Sequence, residues 1–518
     1  MAWKAGGRMA ETEEAATMRA KAQQNIGARP AGKKGRLFTR AEVYAFLDQA
    51  KRAEAISDPL QRCLAYPDPP GSHWSPAAVG AYCKYRLQKL MPFSEMESLI
   101  QNGKSAELDR RLADALQAQM TRPESRGLLD RTYEIDFNGS FDIRPTLDAW
   151  KRDSPNSAFA YAASGYAYQK MAAAARGSGY IRDTPQSDLL SMSRLMKEAD
   201  TDLRHAIALD PRIMPAYDAM ISVGGLEYGH AYAMYAAKKG LAIEPGSYAL
   251  YSSLMWLNQP NWYGSLEEMN RLATAAQMHA KDAPLLMLLT SEAHAKALNT
   301  DDCDCHTVED LAAYPAAFDQ IATSRELLNA GDAASSSHQH ELAAVYLSEA
   351  LRFNADLNDE RLRRVTELVD FDQAQWAAAE ATRLLHMEPK NSNYLKARGW
   401  AYESAEDYKH AAQDYRAAYA LNPQDGWPLM ELGNIYVYST HEWDKGWEID
   451  NEIIHAYPDN AYGWILRAEI QKDQPRVGLK DTVDYFAAHF GNDPVLQKRL
   501  TAMRAELALQ SGVGKSAH

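Results

Sequence analysis

The chain has 518 residues, 46% hydrophobic and 24% charged, the composition of an ordered, soluble protein: roughly two to four ordinary domains, or one array that grows by repetition. A formal net charge of -13 argues against broad nucleic-acid binding, because counterion release requires a surface rich in Lys and Arg. No run of about 18 apolar residues occurs, so no membrane insertion is expected.

Residues 1–40 read as a disordered polar leader without the apolar segment of a signal peptide. As it stands the chain therefore reads as cytoplasmic. Met9 and Met18 leave the start open, and a different start makes a periplasmic or secreted protein the alternative. The basic residues Arg29, Lys33, Lys34, Arg36 and Arg40 read as a solvated tail, since no aromatic interleaves them before Phe38. Residues 41–91 form an N-terminal helical segment with a Pro-rich loop, "LAYPDPPGSHWS", between Cys63 and Cys83. A disulfide there would contribute ~3 kcal/mol. In a reducing compartment the same residues would be buried thiols.

Residues 92–298 read as a degenerate helical-repeat domain. Its first part, 92–120, is a hairpin turning at Asn102 and Gly103. "WKRDSPNSAFAYAASGYAYQKMA" ends one helix and opens another near Asn156; the partner helix is "SRLMKEADTDLRHAIAL", and "ARGSGYIRDTPQSDLLS" is inserted between them. In that insertion Arg176 and Arg182, near Tyr180 and Asp183, either hold an acidic partner or anion, or Arg176 pairs with a helix carboxylate while the loop caps a gap in the solenoid. Pro211 and Pro245 lie 34 residues apart and end successive helices, and Gly224 and Gly225 mark a helix end.

Residues 299–340 read as an irregular connecting segment, with "NTDDCDCHTVED" and "NAGDAASSSHQH" as loops. Cys303, Cys305 and His306, with His338 and His340 further on, offer thiolates and imidazoles that suit zinc or copper. Cys-x-Cys is tighter than the usual spacing of structural zinc sites, so the reading is exposed loop residues with no metal and no cofactor.

From 341 to 492 the pattern sharpens. Pro389, Pro423 and Pro458 close "RLLHMEPKN", "AYALNPQDG" and "HAYPDNA" at intervals of 34 and 35 residues. With Pro423 at place 32 of the ruler, Gly399 falls at 8, Tyr402 at 11, Ala411 at 20, Tyr415 at 24 and Ala418 at 27. These small and aromatic places resemble those of tetratricopeptide-repeat (TPR) proteins. Residues 493–518 read as a capping helix and tail. Upstream, the Trp, Pro-Asn-Ser and Ala-Arg-Gly marks of residues 147–180 resemble degenerate helical-repeat domains of bacterial proteins of unknown function, which implies a bacterial source and no activity.

The TPR resemblance implies an all-α, right-handed solenoid of helical hairpins whose first helices line a concave groove. Carried over by place, the groove residues are Asn393, Lys396, Trp400 and Glu403, then Trp427, Met430, Asn434 and Val437, then Tyr462, Ile465 and Glu469. Aromatic anchors beside amides and charges suit a peptide or partner helix; alternatively Trp400 and Trp427 pack against neighbouring hairpins. Trp400 and Glu431 stand where members that grip a C-terminal carboxylate carry Asn, which argues against that ligand. No Walker loop, dinucleotide glycine pattern, nucleophile elbow or His-Glu-x-x-His is present. The expectation is a non-catalytic scaffold or adaptor binding a protein or peptide of unknown identity. An envelope or secreted assembly protein and a metal-dependent regulator or enzyme around Cys303, Cys305 and His306 are the alternatives.

Overall fold

The computed structural model describes residues 36–513 apart from 178, 180, 299–306 and 475, and among them every regular element is a helix. The chain divides into two compact units, Met1–Asn354 and Ala355–His518.

The first unit opens with the helix Arg40–Glu54, started by a reciprocal cap in which Thr39 and Glu42 satisfy each other's backbone N–H groups. Phe38, expected in the polar leader, is buried with its ring 5.7 Å from Tyr346. Helices Pro59–Ala65 and Pro76–Arg86 follow, and Cys63 and Cys83 are joined by a disulfide across a Cα–Cα distance of 5.9 Å. The Pro-rich loop between them is anchored as well as stapled. Trp74 Nε1 donates to the Phe318 carbonyl at 2.7 Å. The buried Arg352 guanidinium donates to the Cys63 carbonyl at 2.8 Å and to Asp68 at 2.9 Å.

The hairpin Phe93–Gln101 and Ser105–Thr121 turns at Asn102 and Gly103, and Gly103 takes a φ of 68° that a side chain would disfavour. Further on, Trp150 is fully buried, and its Nε1 donates to Asp109 at 3.0 Å while Ser157 Oγ donates to the same oxygen at 2.6 Å. The Trp and Pro-Asn-Ser marks thus clamp one carboxylate. The long pair Ala158–Arg176 and Gln186–Leu209 packs through small residues, and a Cβ on Gly165 would lie 2.6 Å from Leu203 Cγ. In the insertion between these helices Arg176 pairs with no helix carboxylate among the described residues; its guanidinium sits over the Trp262 ring at 5.6 Å. Tyr180 lies outside the described residues. Gly224 opens a π-helical turn, Gly224–Tyr228, pressed against Ala233, and the helix ends at Gly229.

Part of the segment expected to be irregular is helical. Val308–Leu311 and Tyr314–Ala317 are short, but Ser324–Ser336 runs through most of "NAGDAASSSHQH" and forms a hairpin with His340–Phe353. The small residues are the reason: Ala330, Gly331 and Ala334 are buried, and a Cβ on Gly331 would meet Leu347 Cδ2 at 2.9 Å. A Ser/Ala/Gly-rich string reads as a loop when burial is unknown. It makes a good helix when a neighbouring helix must approach closely.

The second unit is a run of hairpins: Asn358–Asp370 with Ala374–Met387, Ser392–Ser404 with Tyr408–Leu421, Trp427–Asn434 with Trp443–Ala456, and Ala461–Asp473 with Leu479–Phe490. The helix Gln497–Val513 follows and covers the last hairpin, with Leu500 and Met503 packed against Leu479, Val483 and Phe486. The turn between the helices of a hairpin uses a non-glycine residue in the left-handed region at Asp372, Glu406 and His441, and His338 of the first unit does the same. These four residues stand 34, 34 and 35 residues apart.

Two further repeated features hold the hairpins. A Cβ on Gly399 would touch the Tyr415 ring at 2.8 Å, and one on Gly433 would touch Leu466 at 2.7 Å, so glycine at ruler place 8 is a point of close helix approach. A buried ion pair recurs one repeat apart: Arg364 with Glu380 at 2.5 Å, and Arg398 with Asp414 through two bonds of 2.7 and 2.8 Å. Arg361 also binds Glu380. Burial alone would raise the Glu380 carboxyl, but Arg364, Arg361 and Arg383 outweigh it and hold it well below the usual range.

Candidate interaction groove

Three first helices of the second unit carry the residues expected in the groove. Asn391 and Asn460 cap the helices Ser392–Ser404 and Ala461–Asp473, each side chain accepting from backbone N–H groups of the first turn. The caps fix where the following side chains point.

A chain of polar contacts crosses the three repeats. Tyr415 donates to Glu403 at 2.7 Å, Asn434 donates through Nδ2 to Glu431 at 2.9 Å, and Tyr462 donates its hydroxyl to the Asn434 side-chain oxygen. Burial, then the Glu403 carboxylate, pushes the Tyr415 hydroxyl up. Burial also raises the Glu403 carboxyl, partly offset by the Tyr415 bond, with Glu431 adding to the rise. Among the described residues Glu403 and Glu431 form no ion pair. Lys396 is neutralised by Asp425 at 2.6 Å, and Asp425 also accepts from the Trp427 backbone N–H at 3.1 Å. Glu469 takes Lys472 at 3.4 Å.

The same repeats expose aromatic surface. Trp427 is 40% exposed and stands edge-on to Tyr415 at 5.4 Å; Tyr438 is 49% exposed. Burial and then Glu469 push the Tyr438 hydroxyl up to about 12. Trp400, Met430 and Ile465 are half-buried, and Asn393 is exposed at the first turn of its helix.

Of the residues expected by place, Met430, Asn434 and Tyr462 are brought together, since the Tyr462 hydroxyl also reaches the Met430 carbonyl at 3.4 Å, while Glu403 is bonded to Tyr415. Lys396 and Trp427 meet through Asp425, while Asn393 joins neither set. Val437 does not face outward: it is buried and its Cγ2 would lie 2.9 Å from a Cβ on Gly446. The cause is the π-helical turn Ile435–Ser439, whose extra residue advances the helix by about 100° and places Tyr438 where the ruler expects Val437. Tyr438 and Asp425 are the residues the ruler missed, while Tyr415 and Glu431 were placed by it but not assigned to the groove. A 35-residue interval between Glu406 and His441, against 34 elsewhere, was the signal of the insertion.

The metal candidates fare differently. Cys303, Cys305 and His306 lie outside the described residues. His338 occupies the hairpin turn shared with Asp372 and Glu406, so its place has a backbone reason, and its ring lies 6.1 Å from that of His340.

Residues 93–226 match the model of a family described as a domain of unknown function (DUF4034). No curated protein matches the chain. Among solved structures the chain is similar to the P58(IPK) TPR domain, at 15% identity over 79% of this chain and 98% of that one, with a TM-score of 0.22. It is also similar to a chain of the APC/C hetero-tetramer Cut9-Hcn1, at 12% identity over 94% of this chain and 96% of that one, with a TM-score of 0.29. With its 34-residue hairpins, the chain is an all-α, TPR-like helical-repeat protein carrying a match to that domain family at residues 93–226. Among the described residues no helix is long and apolar enough to cross a membrane.

Proposed function

We propose that the second unit is a docking module for a segment of a partner protein that carries a basic side chain. The observation that supports this most is the pair Glu403 and Glu431, two neighbouring carboxylates that form no ion pair among the described residues, in repeats that also expose the rings of Trp427 and Tyr438. A lysine or arginine between them would supply the missing charge, and its apolar stem and neighbours would cover the rings. An acidic tail fits poorly, because Lys396 is already held by Asp425. The work of the chain on this reading is binding, not catalysis.

The reading is tested by fluorescence anisotropy of the intact chain with labelled peptides that differ only in charge at one central position. Lys or Arg peptides should bind more tightly than Gln, and Glu peptides least, with affinity falling as salt is raised. Equal binding across the series would overturn it. A second reading concerns where this happens: the disulfide Cys63–Cys83 favours an oxidising compartment, and so the envelope or secreted alternative.

A further inference from the structure

A second site lies in the first unit, away from any residue used above. A cavity of about 330 Å³ opens where five stretches of chain converge: the helix Pro76–Arg86, the turn Pro123–Gly127, the helix Leu128–Asp136, the segment around Glu244 and Gly246, and residues 282–285. Its walls are largely Pro, Ala and Tyr. Its volume is that of a small-ligand pocket, room for about ten water molecules' worth of liquid.

The polar groups of the cavity are incompletely paired, and the gaps are complementary. Gln119, buried beneath the floor, accepts from the Leu129 backbone N–H at 2.8 Å, which turns its amide nitrogen toward Asp130 and Glu244; it donates to one oxygen of each at 3.1 Å. The remaining Asp130 oxygen, Oδ1, has no partner, although the residue is only 6% exposed. Gln88 donates to the Arg126 carbonyl at 2.9 Å, and its own buried oxygen likewise has no partner. Two buried acceptors therefore lack a donor. The side chains of Arg126 and Lys84 also line the cavity; among the described residues neither forms an ion pair or hydrogen bond, and Arg126 acts on Glu244 only through its charge. Neither cationic group is directly bonded to a carboxylate.

Two glycines let the walls of the cavity pack closely. A Cβ on Gly127, whose φ is 73°, would lie 2.5 Å from the Tyr85 ring, and one on Gly246 would lie 3.0 Å from the Arg126 guanidinium. Burial, followed by the charge of Glu244, raises the Asp130 carboxyl well above its usual range, and burial raises Glu244 in turn. An incoming cation would relieve both.

We infer that this cavity binds a small zwitterion of the amino-acid class, its ammonium group donating to Asp130 Oδ1 and Gln88 and its carboxylate held by Arg126 and Lys84. An ammonium group has three donors and no acceptor, and an arginine has donors alone, so a single molecule carrying both an ammonium and a carboxylate matches both sets of groups.

The test is isothermal titration of the full-length chain with each standard amino acid in turn, and with butylamine and butyrate as probes of each half alone. At least one amino acid should bind, with butylamine and butyrate each weaker by about tenfold or more, since each lacks one charge-assisted contact. Asp130→Asn should weaken that binding by about tenfold or more, and Arg126→Gln, a half-buried change less able to disturb folding, should do the same. Circular dichroism checks both variants. Failure of every amino acid to bind at millimolar concentration, butylamine binding as tightly as the zwitterion, or unchanged affinity in a folded Arg126→Gln variant would each overturn the inference.

Discussion

Reducing the Cys63–Cys83 disulfide should destabilise the first unit by about 3 kcal/mol. The sequence separation is 20 residues, and closing a loop of that length removes about 11 cal/mol/K of entropy from the unfolded chain, or ~3 kcal/mol at 25 °C. Both sulfurs belong to buried residues, so reduction leaves the folded packing in place and the effect falls on the unfolded state. Trp74 lies in the bridged loop, is buried, and donates to the Phe318 carbonyl, so tryptophan fluorescence reports on this region directly. Urea unfolding of oxidised and reduced protein should give midpoints separated by ~1 M, for a dependence of about 2–3 kcal/mol/M. Coincident midpoints, with the bridge present in the oxidised sample, would refute the loop-entropy argument. Four free thiols in the denatured, non-reduced chain would refute the bridge itself.

Other outcomes follow from the same contacts. Glu380→Gln leaves Arg364 and Arg361 without their shared carboxylate and should cost about 3 kcal/mol or more in chemical unfolding at neutral pH. The stability held by that lowered carboxyl is present above its ordinary range and lost as pH falls through its depressed value, so the wild-type advantage should shrink in acid. Gly399→Val drives a side chain into the Tyr415 ring and should destabilise the second unit by about 1–3 kcal/mol, read as a lower melting temperature. Glu292 behaves oppositely to Glu380: burial, then the neighbouring Glu326, raises it. Its contribution is present below the ordinary carboxylate range and lost as pH rises toward the raised value of about 8, so Glu292→Gln should flatten the fall in stability between about pH 4.5 and about pH 8. An unchanged slope would contradict that assignment.

Much of the hairpin pattern was written in the sequence because its physics is local. Pro389, Pro423 and Pro458 stop helices wherever they stand, and Gly399 and Tyr415 meet at places a fixed ruler predicts. Where burial reverses local preference the text misleads. Residues 324–336 look like a loop until the close approach of Leu347 gives their small side chains a purpose. One inserted residue in the π-helical turn was enough to exchange Val437 for Tyr438 on the outward face, since every later place rotates with it. The repeated pairs Arg364–Glu380 and Arg398–Asp414 were legible in principle, each separated by 16 residues, but only a shared helix interface makes that spacing meaningful. The cavity of the first unit was out of reach, because Lys84, Arg126, Asp130 and Glu244 come from segments up to 160 residues apart.

The central claim is that Glu403 and Glu431 receive a basic side chain. The most direct measurement compares the wild-type chain with a Glu403→Gln, Glu431→Gln double variant, which keeps side-chain size and hydrogen bonding, against a lysine-centred peptide. The account predicts about tenfold or greater loss of affinity and a flattened salt dependence, with circular dichroism unchanged. Binding of the same strength and salt dependence in a folded double variant would contradict it.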